Sequence, residues 1–451
     1  MDIRAAINWL DSHISFEGAR PGSGPTESAR SKLPEAGAVE GLTLAPMREL
    51  LAALGNPHEA FKSLHITGTN GKGSTGRMAA AILATTELSV GLYTSPDLHR
   101  INERISWGAD PIPDEDLARV LSLLASVEPL LEGKPTRFEY LTAAAFVWFA
   151  EIAVDIAVVE VGMLGTHDAT NVIDSDVAVI TNIGKDHTSG AVGWRDAIAS
   201  EKSGIIKSGS HVIVGSDMGD QLHHFTERES IDVWQYGTDF DLEQNEMAVG
   251  GRLVDIRTPS AKYSQVFVPF HGCHQTQNLA TALAAVEAFF SRPVDDMLVD
   301  TALATLELPG RFEVVSREPT IILDGAHNIH GARAAISTLN SEFARVGSRL
   351  LVVGLLRGKD PEEMLTALEA ERFDAVICTQ PSWSRALPAE ELGAVAESLD
   401  LDPEVVPNPV AAFERALAVT APEDLVFVAG SLYLLGDIRG SLMTSIENTS
   451  R

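Results

Sequence analysis

At 451 residues the chain exceeds what one ordinary hydrophobic core organises, so two or three domains are expected. Apolar residues make up 45% and charged residues 22%, the balance of a globular protein rather than of a disordered or fibrous one. A net charge of −29 argues against a nucleic-acid partner, which needs a basic face, yet leaves anionic small substrates open, because lysines and a divalent cation set the field inside a cleft.

The N-terminus, Met1-Asp2-Ile3-Arg4, carries no apolar signal core. Residues 20–38 hold Pro21, Gly22, Gly24, Pro25, Pro34 and Gly37 among polar residues and read as a loop excursion. From about residue 60 apolar strands alternate with helices. The strands are Ser63–Ile66, Ser89–Tyr93, Ile156–Val161, Val177–Ile180 and His211–Val214; the helices include Leu117–Ser126, Tyr140–Phe149 and Trp194–Lys202. Strands this continuously apolar suit a parallel sheet covered on both faces, so the rhythm predicts a doubly wound α/β domain.

The stretch Leu141 to Leu164 is interrupted by Glu151, Asp155 and Glu160, which a membrane-spanning helix tolerates poorly. It reads as a buried helix followed by a buried strand, with no membrane partner. Residues 233–270 alternate apolar and polar and predict a small antiparallel patch. Asn278 to Phe290 is alanine-rich and helical. Pro309-Gly310-Arg311 breaks the pattern, and a second α/β alternation follows with strands Ile321–Leu323, Leu350–Val353, Ala375–Cys378 and Leu425–Val428. The expected units are 1–308 and 309–451. Cys273 and Cys378 lie far apart and suggest neither a disulfide framework nor a metal cluster, so a reducing, cytoplasmic setting is expected.

The strongest motif is Gly68-Thr69-Asn70-Gly71-Lys72-Gly73-Ser74, directly after the apolar run Leu64-His65-Ile66 and before the helical stretch Met78 to Leu83. Glycines let successive N–H groups turn toward phosphate oxygens, Lys72 supplies a cation for the β- and γ-phosphates, and the Ser74 hydroxyl can reach Mg²⁺. The helix dipole faces the same anion. The spacing departs from G-x-x-x-x-G-K-[ST]: position 66 is Ile, and Gly73 separates the lysine from the serine. A glycine-rich turn with a chance lysine is the bland alternative.

Polar residues stand where strands should end: Ser95 after Tyr93-Thr94, Glu160 after Ile156–Val159, and His187 in the segment after Val177–Ile180. Ligands of open parallel sheets bind at such carboxyl ends. A hydroxyl, a carboxylate and an imidazole beside a phosphate loop make a divalent-cation site, with Mg²⁺ first and Mn²⁺ also suited to the imidazole. Taken singly, His187 also reads as a hydrogen-bonding loop residue, and Lys202 as a lysine favoured by a helix C-terminus.

Taken together, ten segments resemble the folylpolyglutamate synthase / dihydrofolate synthase family, a branch of the muramyl-ligase-like ATP-dependent amide ligases. They are Gly68–Ser74; Thr94-Ser95-Pro96 with Ile101–Ile105; Phe138–Thr142; Glu160-Val161-Gly162 with Asp168–Asn171; Thr181-Asn182-Ile183 with Asp186-His187; Glu201-Lys202; His274-Gln275 with Asn278; Pro309-Gly310-Arg311; Asp324–Asn328; and Gly430–Leu434. The resemblance implies a P-loop ATP-binding domain, a smaller C-terminal Rossmann-like glutamate-ligase domain, and a monomer. It implies ATP with Mg²⁺, two ions in all, and small-molecule substrates: L-glutamate and a pterin or folate carboxylate. Gly68, Thr69, Asn70, Gly71, Lys72, Gly73 and Ser74 would hold the ATP phosphates. Ser74, Ser95, Glu160 and His187 would ligate the metal. Lys202 matches a lysine carbamylated in the family to support a second metal. His274 and Asn278 would lie near adenine, Arg311 on the phosphates, and Asp324 with His327 on nucleotide and glutamate. The implied reaction makes an acyl phosphate from ATP and a carboxylate, which the glutamate amine then attacks.

Four positions depart from the family's motifs, two of them in the pattern E-V-G-x-G-G-R-x-D-A-T-N. Leu164 replaces a glycine, Thr166 an arginine, Asp97 a histidine after Ser95-Pro96, and Ile329 the proline after Asp324–Asn328. The expectation is a stiffer loop lacking a cation near the metal, and an added negative charge near the acceptor. Another carboxylate acceptor, or a non-catalytic nucleotide-binding homologue, are the alternatives these departures raise.

Overall fold

A computed structural model describes residues 1–15, 17, 43–186, 192–216, 218–227, 231–344 and 347–449. His187 and the expected excursion at 20–38 lie outside the described residues.

The first sheet contains β1 (Lys62–Thr67), β2 (Val90–Tyr93), β3 (Ile105–Trp107), β4 (Asp110–Pro111), β5 (Ile156–Glu160), β6 (Val177–Ile180), β7 (His211–Val214) and β8 (Asp232–Gln235). Their order is β4-β3-β2-β5-β1-β6-β7-β8. The six strands from β2 to β8 in that order run parallel, while β3 and β4 add an antiparallel edge. That edge is a departure from the expected purely parallel rhythm. Ile105-Ser106-Trp107 is too short to show a period, and its pairing with β2 creates it.

Strand β1 shows how sequence sets the layers. Leu64 and Ile66 enter one core with the helices Lys72–Ala84 and Cys273–Phe290, while His65 points to the other face. That second face is covered by Ile3–Asp11, Ala45–Ala53, Asp114–Val127 and Arg137–Glu151. Tyr140 through Phe149 are all buried, and β5 behind them is buried throughout, as the interrupted apolar stretch predicts. The helix Cys273–Phe290 begins five residues before the alanine-rich run, because Gly272, at φ 91°, turns the chain into it.

The antiparallel patch is a three-stranded sheet, β11-β10-β9, of β9 (Asp241–Ala248), β10 (Gly251–Arg257) and β11 (Lys262–Val268). Asp232–Gln235 does not belong to it. Those residues pair parallel with β7 and close the large sheet, a correction to the expected patch starting at 233.

The third sheet, β12-β13-β17-β14-β15-β16, is built from β12 (Glu313–Arg317), β13 (Thr320–Asp324), β14 (Arg349–Val353), β15 (Ala375–Cys378), β16 (Glu404–Val405) and β17 (Leu425–Ala429). Only β12 is antiparallel. Separate cores fill its two faces. No helix among the described residues is long and apolar enough to cross a membrane.

Candidate active site

The carboxyl ends of β1, β5 and β6 face those of β13, β14 and β17 across a cavity of about 1040 Å³. Two parallel sheets thus present their ligand-binding ends to one space. Of the expected site residues, Thr69, Asn70, Gly71, Lys72, Gly73, Ser74, Ser95, Glu160, His274, Asn278, Arg311, Asp324 and His327 line it. Gly68 and Lys202 stand directly behind, joined by a hydrogen bond from Lys202 Nζ to the Gly68 carbonyl (2.8 Å).

Local geometry explains the loop sequence. Gly68 sits at φ 148°, and a Cβ there would lie 1.7 Å from Thr181 Oγ1. Gly71 starts the helix Lys72–Ala84 at φ 81°, where a Cβ would lie 2.4 Å from Asn278 Oδ1. Both positions need glycine for conformation and for space. The loop is held from β6: the Asn70 N–H donates to Asn182 Oδ1 (3.0 Å), and Thr181 Oγ1 donates to the Asn70 carbonyl (2.6 Å).

Lys72 Nζ donates to the Gly68 carbonyl at 3.1 Å, the same oxygen Lys202 uses. Two lysine nitrogens around one carbonyl repel when both are charged. Burial first, and Lys72 second, push Lys202 down to about 7, so a neutral amine is well populated near neutral pH. Glu160 ends β5 fully buried, and its Oε2 accepts the Ser95 N–H at 3.1 Å. Burial raises its carboxyl, opposed by the charges of Lys72, Arg311 and Arg77. A Cβ on Gly73 would approach Glu160 Oε2 to 3.2 Å, so the carboxylate stands against the start of the helix Lys72–Ala84 beside Ser74. Two hydroxyls and a carboxylate are hard oxygen donors of the kind Mg²⁺ prefers.

The opposite wall comes from the third sheet. Asp324, buried at the end of β13, accepts the N–H groups of Phe312 and Ala326, each at 2.8 Å. Burial still pushes it up to about 6. The His327 Nδ1–H donates to the Gly325 carbonyl (2.9 Å), which turns Nε2 toward Asp186 at 3.6 Å. His274, half-buried in the first turn of its helix, is pushed down to about 4 by desolvation and stays neutral at physiological pH.

Several contacts escape sequence reasoning. Asn70 and Asn328 exchange amide hydrogen bonds of 3.2 and 2.9 Å across the domains. Lys359, in the loop after β14, pairs with Asp186. Lys185 pairs with Glu363 at 2.9 Å. A lysine following a strand in the second α/β unit was the available signal for Lys359; its partner, 173 residues away, had none.

Three of the four departures are also explained. Leu164 adopts φ 61°, the left-handed conformation that glycine occupies without strain, and it buries its side chain. Thr166 donates both its N–H and its hydroxyl to the Glu201 carbonyl, each at 3.0 Å, which ties the loop to the helix end carrying Lys202. The charge added by Asp97 is not free: Arg104 Nε donates to it at 2.6 Å, and although burial pushes the carboxyl up, Arg104 holds it below its usual range.

Comparison with known proteins matches this architecture. The Mur ligase middle domain matches residues 66–286, and the Mur ligase glutamate ligase domain matches residues 310–432. The class is therefore that of the Mur-type ligases. A dihydrofolate synthase/folylpolyglutamate synthase from Mycobacterium tuberculosis is 38% identical over 384 residues, covering 78% of this chain and 77% of that protein. One of the same description from Bacillus subtilis is 33% identical over 449 residues, covering 97% and 98%. The structure of Mycobacterium tuberculosis folylpolyglutamate synthase complexed with ADP superposes with a TM-score of 0.84 at 33% identity, covering 88% of this chain and 94% of that one. The chain belongs to the folylpolyglutamate synthase/dihydrofolate synthase family.

Proposed function

We propose that the chain is an ATP-dependent ligase joining L-glutamate to dihydropteroate or a reduced folate through an acyl phosphate, with release of ADP and phosphate. The observation that carries this reading is the facing pair of walls: phosphate loop, Lys72 and Glu160 on one, Arg311, Asp324 and His327 on the other.

Residues 1–308 bind ATP and residues 309–451 bring the glutamate-ligating groups. Lys72, Arg311 and the amides of 68–74 hold and polarise the phosphates. An acceptor carboxylate oxygen attacks the γ-phosphorus, the bond to ADP breaks, and an acyl phosphate forms. The glutamate amine then bonds to the acyl carbon, phosphate leaves, and the amine gives up a proton. His327 Nε2, set toward Asp186, is placed to accept that proton. Lys359, Asn328 and Asn70 draw the domains together, which excludes water from a hydrolysable intermediate.

Mg²⁺ would be held by Ser74, Ser95 and Glu160, with His187 in the adjoining segment, and supplies charge neutralisation at the phosphate oxygens. Carbamylation of Lys202 by CO₂, favoured by its neutral amine, would give a carboxylate for a second ion. Asp324 and Asn278 orient nucleotide, and His274 presents a neutral ring to adenine. We place the protein in the cytoplasm as a monomer; its two widely spaced cysteines, Cys378 buried and Cys273 exposed, suit a reducing compartment.

The acyl phosphate is tested with acceptor carrying ¹⁸O in its carboxylate. One labelled oxygen should appear in the released phosphate. Product formed with no label in phosphate would refute the intermediate.

A further inference from the structure

One arm of the cavity is lined by Glu17, Thr136, Phe138, Glu139, Asp168 and Tyr433. Behind it lies Arg104, 1% exposed, with its guanidinium already committed. Its Nε donates to Asp97 Oδ1 at 2.6 Å, its Nη1 to Glu17 Oε1 at 3.1 Å and its Nη2 to Glu17 Oε2 at 2.7 Å. Arg137, 3.9 Å from Glu17, is itself held by Asp11 at 2.7 Å. Two guanidiniums therefore face three carboxylates, and the cluster keeps one net negative charge. The arrangement is pinned from the second domain. Trp383 stacks on Tyr433 with ring centroids 4.0 Å apart, and its Nε1 donates to the Glu17 carbonyl at 2.8 Å.

The composition of this arm bears on what enters it. Glu139 and Asp168 add two more carboxyl groups, and Arg385 is the cation beside Tyr433. Without Asp97, Arg104 would balance Glu17 and the cluster would be neutral. With it, an anion entering the arm meets a surplus of like charge in a partly dry space.

We infer that Asp97 is a specificity-determining residue: with Glu17 it closes on Arg104 and biases the acceptor arm toward an acceptor with a single carboxylate and against acceptors carrying further glutamyl carboxylates. The inference rests on the ligase reading above, in which the nucleotide takes the wall of Lys72, His274 and Asn278 and leaves this arm to the acceptor. Dihydropteroate brings one carboxylate, which is the reacting group, and an otherwise uncharged body. Every glutamyl unit already attached brings an α-carboxylate that must lie along the arm. The discrimination comes from repulsion of the wrong acceptor, not from new contacts to the right one.

The test compares kcat/KM for dihydropteroate and for a tetrahydrofolate diglutamate in the wild type, Asp97→Asn, Glu17→Gln and Asp97→Glu. The wild type should favour dihydropteroate. Asp97→Asn and Glu17→Gln should each shift the ratio toward the diglutamate by about fivefold, the size expected of one unit charge across a partly desolvated cavity. The shift should fall on the diglutamate KM and narrow at high ionic strength. Asp97→Glu should keep the wild-type ratio. Because each neutral variant leaves Arg104 one carboxylate, either can carry the test if the other does not fold. A ratio within twofold of wild type in both, or a wild type that prefers the diglutamate, overturns the inference while leaving the ligase reading intact. A wild type that ligates glutamate to neither acceptor overturns the ligase reading, and the inference with it.

Discussion

Single residues in this protein do work their neighbours define. Lys202 is a helix-end lysine by sequence, but burial and Lys72 make it a partly neutral amine beside the phosphate loop. If carbamylation arms it, enzyme stripped of CO₂ should regain at least tenfold activity on adding bicarbonate, and Lys202→Arg should show no such response. Equal response in both would count against the adduct. Leu164 carries a left-handed backbone that a glycine would relieve, together with a buried side chain. Leu164→Ala and Leu164→Gly lose similar packing, yet only alanine keeps the backbone strain, so the glycine variant should be the more stable by about 1 kcal/mol in urea unfolding. His65, buried in β1, bonds Thr170 Oγ1 through Nε2 at 2.8 Å, and burial pushes it down to about 3. Below the unfolded pKa of about 6.5 the unfolded chain takes up a proton that the folded one refuses, so this residue removes stability as pH falls. The gap between wild type and His65→Gln should shrink by about 1.4 kcal/mol per pH unit between pH 6 and 4. A constant gap would mean that His65 is protonated in the fold.

At the scale of elements, the glycine-rich loop and its helix were legible as a cavity wall because the signal is local. Glycines, lysine and hydroxyl sit within seven residues that run from a strand into a helix, and all of them but Gly68 line the cavity. Strand-end residues Ser95 and Glu160 were legible for the same reason: a polar residue closing an apolar run marks the carboxyl edge of a parallel sheet. The β3–β4 edge, the placement of Asp232–Gln235 and the Thr166 tie to Glu201 were not legible, since each depends on a partner distant in sequence. Gly71→Ala tests the loop. It forces φ 81° on alanine and drives Cβ into Asn278. Stability should fall by about 1–2 kcal/mol, while the ATP KM rises at least tenfold. A normal KM would remove Gly71 from the phosphate site.

The whole molecule joins two sheets end to end, and the pairs that bridge them were invisible in the sequence. Lys359 with Asp186 and Asn70 with Asn328 lie on opposite sides of the cavity yet bond directly. Lys359→Ala should cost about 2 kcal/mol of stability, the worth of a hydrogen bond between charged groups. It should lower kcat more than it raises the ATP KM, because the nucleotide wall is untouched while closure is weakened. Phosphate release without ligation should rise as water reaches the acyl phosphate. Incubating the protein with ATP, Mg²⁺, L-glutamate and 7,8-dihydropteroate or tetrahydrofolate, and reading product mass, asks whether this cavity forms an amide to glutamate. A product heavier by one glutamyl residue is expected, formed one-for-one with phosphate and lost in Lys72→Ala. ATP turnover with neither acceptor extended would refute amide formation to glutamate on these acceptors.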